Sequence, residues 1–132
     1  MSYLMNEQEQ ARILIAESRA VARLALSGFL RSQQNLNVVG EVDNGLDLMA
    51  QVEAICPDIM LLDWDLAGQS APDLVLALRD LGCQPRVIVL AMRQELAQAA
   101  LDAGADALVY KGDGPKRLLT AIRSVLLEGR YA

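Results

Sequence analysis

A chain of 132 residues is long enough to bury one core without disulfide or metal staples and too short for several domains, so we expect a single domain. The 12 basic and 17 acidic residues give a formal net charge of -5, the wrong sign for a protein that binds nucleic acid through phosphate contacts. We therefore expect no direct binding of DNA or RNA. The absence of histidine excludes Ser-His-Asp and Cys-His catalytic pairs and any imidazole metal ligand.

The cysteines and the start of the chain bear on its surroundings. Cys56 and Cys83 are too few for a disulfide framework and lack metal-ligand spacing, so we expect reduced thiols in a cytoplasmic protein. Residues 1–10 lack the basic start and apolar centre of a signal peptide, and no later apolar run is long enough to span a bilayer. We predict no membrane contact, a polar leader over residues 1–10 and one folded domain over residues 11–132.

Short apolar runs predict five β-strands. The strongest is Ile59–Leu62, whose apolar residues are uninterrupted, as in a strand that is buried on both faces. This strand delivers Asp63 to its carboxyl end. The other strands are predicted at Arg12–Ala16, Val38–Val42, Arg86–Ala91 and Ala107–Tyr110.

Helical patterns separate these strands. Apolar residues recur at helical spacing, and turn or capping residues such as Asn44, Pro72 and Gly104 lie at the predicted ends. The predicted helices are Arg19–Leu30, Leu46–Ile55, Pro72–Leu81, Glu95–Ala103 and one that begins near Pro115 and ends at Gly129.

The regular alternation of strands and helices determines the expected fold. It predicts an α/β protein with a flavodoxin-like, doubly wound, five-stranded parallel sheet in the order 2-1-3-4-5 and helices on both faces. Glu17, Asp63 and Lys111 end strands 1, 3 and 5, so we expect them at one edge of the sheet, where such folds bind ligands. For Asp63 alone, a structural role as a helix cap or turn residue is the alternative.

Two motifs extend this interpretation to a family. The stretch Pro57–Gly68, which reads PDIMLLDWDLAG, and the stretch Gly104–Lys111, which reads GADALVYK, resemble the phosphoacceptor strand and the lysine-bearing last strand of bacterial response-regulator receiver domains. Val38–Gly45 resembles the second strand of receivers that are joined to helix-turn-helix DNA-binding domains. The resemblance covers residues 11 to 129.

The resemblance implies a role for each residue at the edge of the sheet. It implies that Asp63 accepts a phosphoryl group from a histidine kinase with the help of Mg²⁺, and that Lys111 contacts the phosphoryl oxygens. The metal would be held, weakly, by Glu17, Asp63 and the backbone carbonyl of Asp65. Such a domain is a signalling component in a phosphorelay and not an enzyme, and without histidine it can only be the acceptor.

Three departures from the family pattern concern this site. Ser18 stands where a second acid normally binds Mg²⁺, so metal binding should be weakened. Ala91 stands where a small hydroxyl residue normally hydrogen-bonds the phosphoryl group. Leu108 stands where the switch aromatic is expected, with Tyr110 two residues further on. These departures predict weakened activation.

Two other functions remain open at this point. One is a pseudo-receiver that acts as a dimerisation or partner-binding module without phosphotransfer. The other is a phosphatase of the haloacid-dehalogenase type, whose first motif resembles Asp63-Trp64-Asp65, although Ala67 stands where Thr or Val is expected.

A homodimer through helices 1 and 5 is also predicted. Val21 and Leu24 lie outside the core-facing stripe of the first helix, and we expect Leu119 and Leu126 of the last helix to lie on the same surface. Cover for the core is the alternative role of such leucines.

Overall fold

The structure is a computed structural model that describes the backbone of residues 10–131 and the side chains of residues 10–128. All but the last residue of the predicted leader lies outside the described range. Within that range, no helix combines the length and the apolar content needed to cross a bilayer.

The five predicted strands form one parallel sheet. They are β1 (Ala11–Ala16), β2 (Leu36–Val42), β3 (Ile59–Asp63), β4 (Arg86–Ala91) and β5 (Ala107–Tyr110). The order across the sheet is β2-β1-β3-β4-β5, so the prediction of a doubly wound, flavodoxin-like sheet is confirmed. The strand order reverses between β1 and β3, which places a crevice beside their carboxyl ends.

Five α-helices connect the strands. They are α1 (Ala20–Arg31), α2 (Gly45–Ile55), α3 (Ala71–Arg79), α4 (Ala97–Ala103) and α5 (Pro115–Tyr131). The starts of α2 and α3 are capped as their sequences indicate, because the side chains of Asn44 and Ser70 accept hydrogen bonds from the backbone N–H groups of Asp47 and Asp73.

Three predicted helix boundaries were wrong. The helix α3 ends at Arg79, before Gly82, because the N–H of Asp80 already closes the last turn onto Ala77 and Leu78. The predicted fourth helix begins with a separate 3-10 turn at Gln94–Leu96. The helix α5 continues through Gly129 to Tyr131, since a single glycine lowers helix stability by only about 1 kcal/mol and does not by itself end a helix.

Two hydrophobic layers enclose the sheet. One face of the strands packs against α2, α3 and α4, and the other face packs against α1 and α5. Alternate residues of β3 serve the two layers, Met60 and Leu62 facing α2 and α3, and Ile59 and Leu61 facing α1 and α5. All five residues of β3 are buried, as its uninterrupted apolar sequence predicts.

Part of the predicted dimer surface belongs to the core. Leu119 is buried and Leu126 packs against the layer formed by α1 and α5, so their assignment to an outer surface was wrong. Neighbouring residues of an α-helix point about 100° apart, so Leu127 faces away from the core-facing side that carries Leu126. Leu127 is 52% exposed. Val21 and Leu24 are 82% and 67% exposed, as expected.

The two cysteines are bonded to each other, contrary to the expectation of reduced thiols. Cys56 ends α2 and Cys83 lies in the loop between α3 and β4, with their Cα atoms 5.7 Å apart. The helices α2 and α3 pack on the same face of the sheet, which brings two residues 27 positions apart together at the amino edge of the strands. Spacing in the sequence alone does not reveal such a pair.

Candidate functional site

The carboxyl edge of the sheet brings together the three charged residues that follow or end its odd-numbered strands. Glu17 follows β1, Asp63 is the last residue of β3 and Lys111 follows β5. Because β4 lies between β3 and β5, the long aminoalkyl chain of Lys111 must cross the end of β4 to reach the two acids. The last residue of β4 is Ala91, whose side chain is a single methyl group.

The Lys111 ammonium group is shared between the two carboxylates. Its Nζ atom donates a hydrogen bond to Glu17 Oε1 at 3.0 Å and lies 2.8 Å from Asp63 Oδ1. Glu17 and Asp63 are each only 2% exposed. The contact with Asp63 is an ion pair that lacks the directed geometry of a hydrogen bond, and Asp63 Oδ1 is buried without a hydrogen-bond partner among the described residues.

Glu17 has additional partners that Asp63 lacks. The backbone N–H of Arg19 donates to Glu17 Oε2 at 3.0 Å, and the Arg19 guanidinium lies 3.6 Å from the same oxygen. Arg23 donates to the backbone carbonyl of Glu17 at 2.8 Å. The sequence interpretation did not include Arg19 and Arg23, although arginines two and six residues after a buried acid are the signal that could have indicated them.

These different surroundings separate the pKa values of the two acids. Burial raises the pKa of Glu17, but the Arg19 N–H and the Lys111 ammonium group outweigh burial and lower that pKa below its ordinary value of 4.5. Burial also raises the pKa of Asp63, and here Lys111 only partly offsets burial while the neighbouring Glu17 adds to it, so the pKa lies above its ordinary value of 3.8. Asp63 is therefore the acid that holds its proton more tightly.

The oxygens at this edge suit a magnesium ion that keeps most of its water. Mg²⁺ in proteins is commonly bound by one or two carboxylates, with water filling the other positions. Glu17 and Asp63 supply two carboxylates, and Asp63 Oδ1 has no directed donor. Within the described residues, no three side chains of Asp, Glu, Cys or His cluster as a metal site. Two neighbouring carboxylates are a donor set that Mg²⁺ accepts.

Ser18 connects two loops beside the acids. Its Oγ accepts a hydrogen bond from the Ala67 N–H at 2.7 Å and donates to the Asp43 carbonyl at 3.1 Å. These bonds hold the loop after β3 against the loop after β2, and the backbone of Gly45 and Ala67 continues the contact with a hydrogen bond of 2.8 Å. Ser18 therefore has a structural use that the sequence did not indicate.

The remaining predicted site residues lie on or near the last two strands. Ala91 is fully buried and pairs in register with Tyr110 of β5. Leu108 is partly buried and packs against the layer formed by α2, α3 and α4. Asp65 is exposed in the loop that follows Asp63. The Tyr110 ring lies over Gly112, where a Cβ atom would approach Tyr110 Cε2 to 2.6 Å.

A cavity of about 360 Å³ opens beside the site. It lies between α1 and the start of α5, and Glu17 and Lys111 form its charged end. Small residues of α1, Ala22 and Ala25, leave this space next to Phe29. No pattern in the sequence indicated this cavity.

The strand order defines the doubly wound α/β class, whose members bind ligands at the switch point of the sheet. A more specific assignment follows from sequence comparison, because residues 13–123 match the profile of the response regulator receiver domain. The chain belongs to this family.

The curated relatives are longer proteins. The nitrate/nitrite response regulator NarL of Escherichia coli K12 is 29% identical over 89% of this chain, and the transcriptional activator ExaE of Pseudomonas putida is 33% identical over 90% of it. A protein-glutamate methylesterase/protein-glutamine glutaminase of Myxococcus xanthus is 38% identical over 76% of the chain. The chain spans 56% of the length of NarL and of ExaE, and 30% of that of the methylesterase.

Solved structures agree in fold. A LuxR-family response regulator from Aurantimonas sp. SI85-9A1 has a TM-score of 0.84 at 24% identity, with 89% of this chain and 86% of that chain aligned. The isolated receiver domain of RcsB from Salmonella enterica has a TM-score of 0.81 at 20% identity, with 89% and 88% aligned. At such identities these likenesses establish the fold alone.

The opposite pKa shifts of the two acids predict opposite effects on stability. A raised pKa means that the fold favours protonated Asp63, so its stabilising effect is present below pH 3.8 and is lost as the pH rises through the folded pKa. Asp63→Asn mimics the protonated form and should raise the melting midpoint at pH 7 by about 3 to 5 °C, with the gain shrinking in acid.

Glu17→Gln should act in the other direction. Ionised Glu17 stabilises the fold above pH 4.5 and loses this effect as the pH falls through its lowered pKa, so the variant should melt lower at pH 7 and approach the wild type in acid. The exposed Asp65→Asn serves as the matched control. Thermal melts of the set from pH 3 to pH 8 measure the differences, and a destabilised Asp63→Asn at pH 7 would contradict the interpretation.

Proposed function

We propose that this receiver domain accepts a phosphoryl group on Asp63 from a histidine kinase and transmits the change weakly. The observation that carries the proposal is the position of the Lys111 ammonium group, 2.8 Å from Asp63 Oδ1 at the switch point of the sheet. A buried nucleophile beside a fixed cation is suited to phosphoryl transfer, where the protein supplies position and charge rather than new covalent chemistry.

The residues of the site would act as follows. The ionised carboxylate of Asp63 attacks phosphorus, and the bond from phosphorus to the nitrogen of the kinase histidine breaks. Lys111 would hold the transferred phosphoryl oxygens and keep its contact with Glu17, so it stays in place while the charge on Asp63 changes. Glu17 has the lower pKa and remains ionised, which keeps the lysine charged and oriented.

Bound Mg²⁺ would neutralise charge on the incoming phosphoryl group. Glu17, Asp63 and the backbone carbonyl of Asp65 are the oxygens proposed to hold it. Ser18 adds no charge, and its hydroxyl is already bonded to Ala67 and Asp43, so the ion should be held weakly.

A pseudo-receiver that signals without phosphotransfer is the second candidate. Fully buried Ala91 has no hydroxyl to bond a phosphoryl group, and Leu108 has no aromatic ring to move. Asp63, Lys111 and Glu17 nevertheless retain a complete ion-paired centre, and for that reason phosphorylation with weak transmission is the function we favour.

We infer that the domain is not itself an enzyme. The methylesterase relative is matched over only 30% of its length, so its named activity is not carried over. A haloacid-dehalogenase-type phosphatase would use Asp65 as an acid/base, but Asp65 is exposed in its loop. We further propose a cytoplasmic location beside a histidine kinase, with no membrane contact and no direct contact with nucleic acid.

A homodimer through α1 and α5 is proposed on a corrected set of residues. Val21, Leu24 and Leu127 are exposed apolar side chains on these two helices. Exposed apolar side chains that form a patch commonly mark association surfaces.

Phosphorylation by a small-molecule donor tests the role of Asp63 as phosphoacceptor. Incubation with Mg²⁺ and acetyl phosphate, an acyl-phosphate donor, should add one phosphoryl group to the wild-type chain, seen by intact mass and removed by hydroxylamine. Asp63→Asn should gain none. Lys111→Ala should slow the reaction by about 10²-fold, because the fixed positive charge is lost. A wild-type chain that stays unmodified would favour the pseudo-receiver.

The affinity for Mg²⁺ depends on Ser18. Trp64, the only tryptophan, follows Asp63 directly, so its fluorescence should report the ion. Ser18→Asp should tighten binding about tenfold or more, since it adds a charge near the metal, whereas Ser18→Ala should not. Sub-millimolar binding by the wild type, or equal affinity of all three proteins, would argue against the proposed ligands.

The proposed dimer can be tested with a pair of matched leucines. Leu24→Glu on α1 should weaken self-association about tenfold or more in sedimentation equilibrium. Leu76→Glu on α3 is the control, because Leu76 is similarly exposed, at 57%, on the opposite face of the sheet. A monomeric wild type at high concentration, or equal effects of both variants, would exclude this interface.

The last prediction concerns transmission from the site. Beryllofluoride, a phosphoryl mimic, should shift amide resonances near Glu17, Asp63 and Lys111 but leave residues 95–110 nearly unchanged, because no hydroxyl and aromatic pair responds to it. Ala91→Ser combined with Leu108→Tyr restores both groups and should extend the shifts to that region. Strong shifts there in the wild type would reveal another route.

A further inference from the structure

We propose that Cys56 and Cys83 form a reversible disulfide, a thiol-oxidation site whose state sets the rigidity of the segment that carries Asp63. The pair lies at the amino edge of the sheet, away from the acids at the carboxyl edge, so the inference stands independently of phosphorylation. Thiols in reducing compartments are usually bonded only transiently, and such bonds are typically redox-sensing or catalytic.

The first support is the geometry and exposure of the pair. The Cα atoms are 5.7 Å apart, within the range of 4.4–6.8 Å that a disulfide needs without backbone movement. Cys56 is exposed and Cys83 is partly exposed, so small thiols and disulfides can reach them. Exposed disulfides are the ones that are commonly labile and regulatory.

The second support is the backbone of Cys56. Its φ of 51° places it in the left-handed region, at a helix end where glycine is the usual residue. Within the described residues, only Asn35 and Cys56 have positive φ without being glycine, and asparagine tolerates this conformation. A non-glycine residue in this conformation costs free energy, and such strained positions cluster at functional sites. The presence of cysteine here is therefore consistent with a function of its thiol.

Contacts other than the disulfide hold Cys56 in place. The Arg12 guanidinium donates to the carbonyls of Ile55 and Cys56, both at 2.8 Å, and Pro57 restricts the backbone from the following position. In the loop of Cys83, the Gln84 side chain donates to the Arg79 carbonyl at 3.0 Å, and Gly82 has open space where a Cβ atom would lie. Reduction would therefore leave the Cys56 thiol fixed in place.

The bonded loop contains the candidate phosphoacceptor. The segment from Cys56 to Cys83 includes β3, Asp63 and α3. Closing this loop restricts the unfolded chain, which raises the stability of the segment in the oxidised state. The disulfide would thus link the carboxyl end of α2 to the loop after α3, at the amino end of the strand that carries Asp63.

The reaction is a thiol–disulfide exchange with a low-molecular-weight disulfide such as oxidised glutathione. The thiolate of one cysteine attacks the external disulfide and releases one small thiol, and the second thiolate then attacks the mixed disulfide and releases the other. Two protein thiols are oxidised, one external disulfide is reduced to two thiols, and the protons of the protein thiols pass to the departing thiolates. Excess small thiol drives the reverse reaction.

The test uses the full chain equilibrated in buffers of varied glutathione ratio. After acid quenching and alkylation of free thiols, intact mass should show a single transition between no and two alkylated cysteines. The transition should fall near the glutathione potential of the cytosol and be the same whether the protein starts oxidised or reduced. If the disulfide persists in excess reduced glutathione, it is a permanent structural bond. If both thiols stay reduced in excess oxidised glutathione, the two cysteines do not pair. Either result would overturn the proposal.

A second measurement tests the effect on the segment. Reduction should lower the melting midpoint by about 10 °C and reduce hydrogen-exchange protection mainly within residues 56–83. Cys83→Ser and Cys56→Gly, the latter compatible with positive φ, should be insensitive to reductant. An unchanged midpoint, or protection lost equally in α1 and α5, would refute the role in segment rigidity.

Discussion

The carboxyl edge of the sheet depends on one interaction, the sharing of the Lys111 ammonium group between Glu17 and Asp63. Two carboxylates that are each 2% exposed cannot both remain ionised beside one another without a cation. The lysine supplies it at 2.8 and 3.0 Å, and the strand order is what brings it within reach. Because Arg19 also contacts Glu17, the two acids are unequal, and Asp63 has fewer partners.

The departures from the family pattern fall around this centre rather than on it. Ser18 forms hydrogen bonds to two loops and adds no charge. Ala91 is buried at the end of β4, and Leu108 of β5 packs against the hydrophobic core. The raised pKa of buried Asp63 means that its ionised form reduces the stability of the fold near neutral pH. Such a loss of stability is common at functional sites. Under the proposed function, the chain would keep the acid and the lysine of a phosphoacceptor site and lack the hydroxyl and the aromatic ring that would respond to phosphorylation.

The two edges of the sheet have separate chemistry. At the carboxyl edge, charge is balanced among Glu17, Asp63 and Lys111. At the amino edge, Arg12 and the Cys56–Cys83 bond fix the end of α2 against the loop after α3. Both edges are connected by β3, whose residues are all buried, so a change in the restraint at one end acts on a strand that is rigidly packed along its length.

The sequence by itself determined the strand and helix order, the parallel sheet and the three residues at its carboxyl edge, because hydrophobic periodicity and the position of a residue at a strand end are local properties. Only the tertiary structure decided contacts between residues far apart in the chain. These are the Cys56–Cys83 pair, the bonds of Ser18 to the neighbouring loops, and the burial of Leu119 in the core. Helix ends such as that of α3 also depended on packing and on competing backbone hydrogen bonds, which single turn residues like Gly82 do not fix.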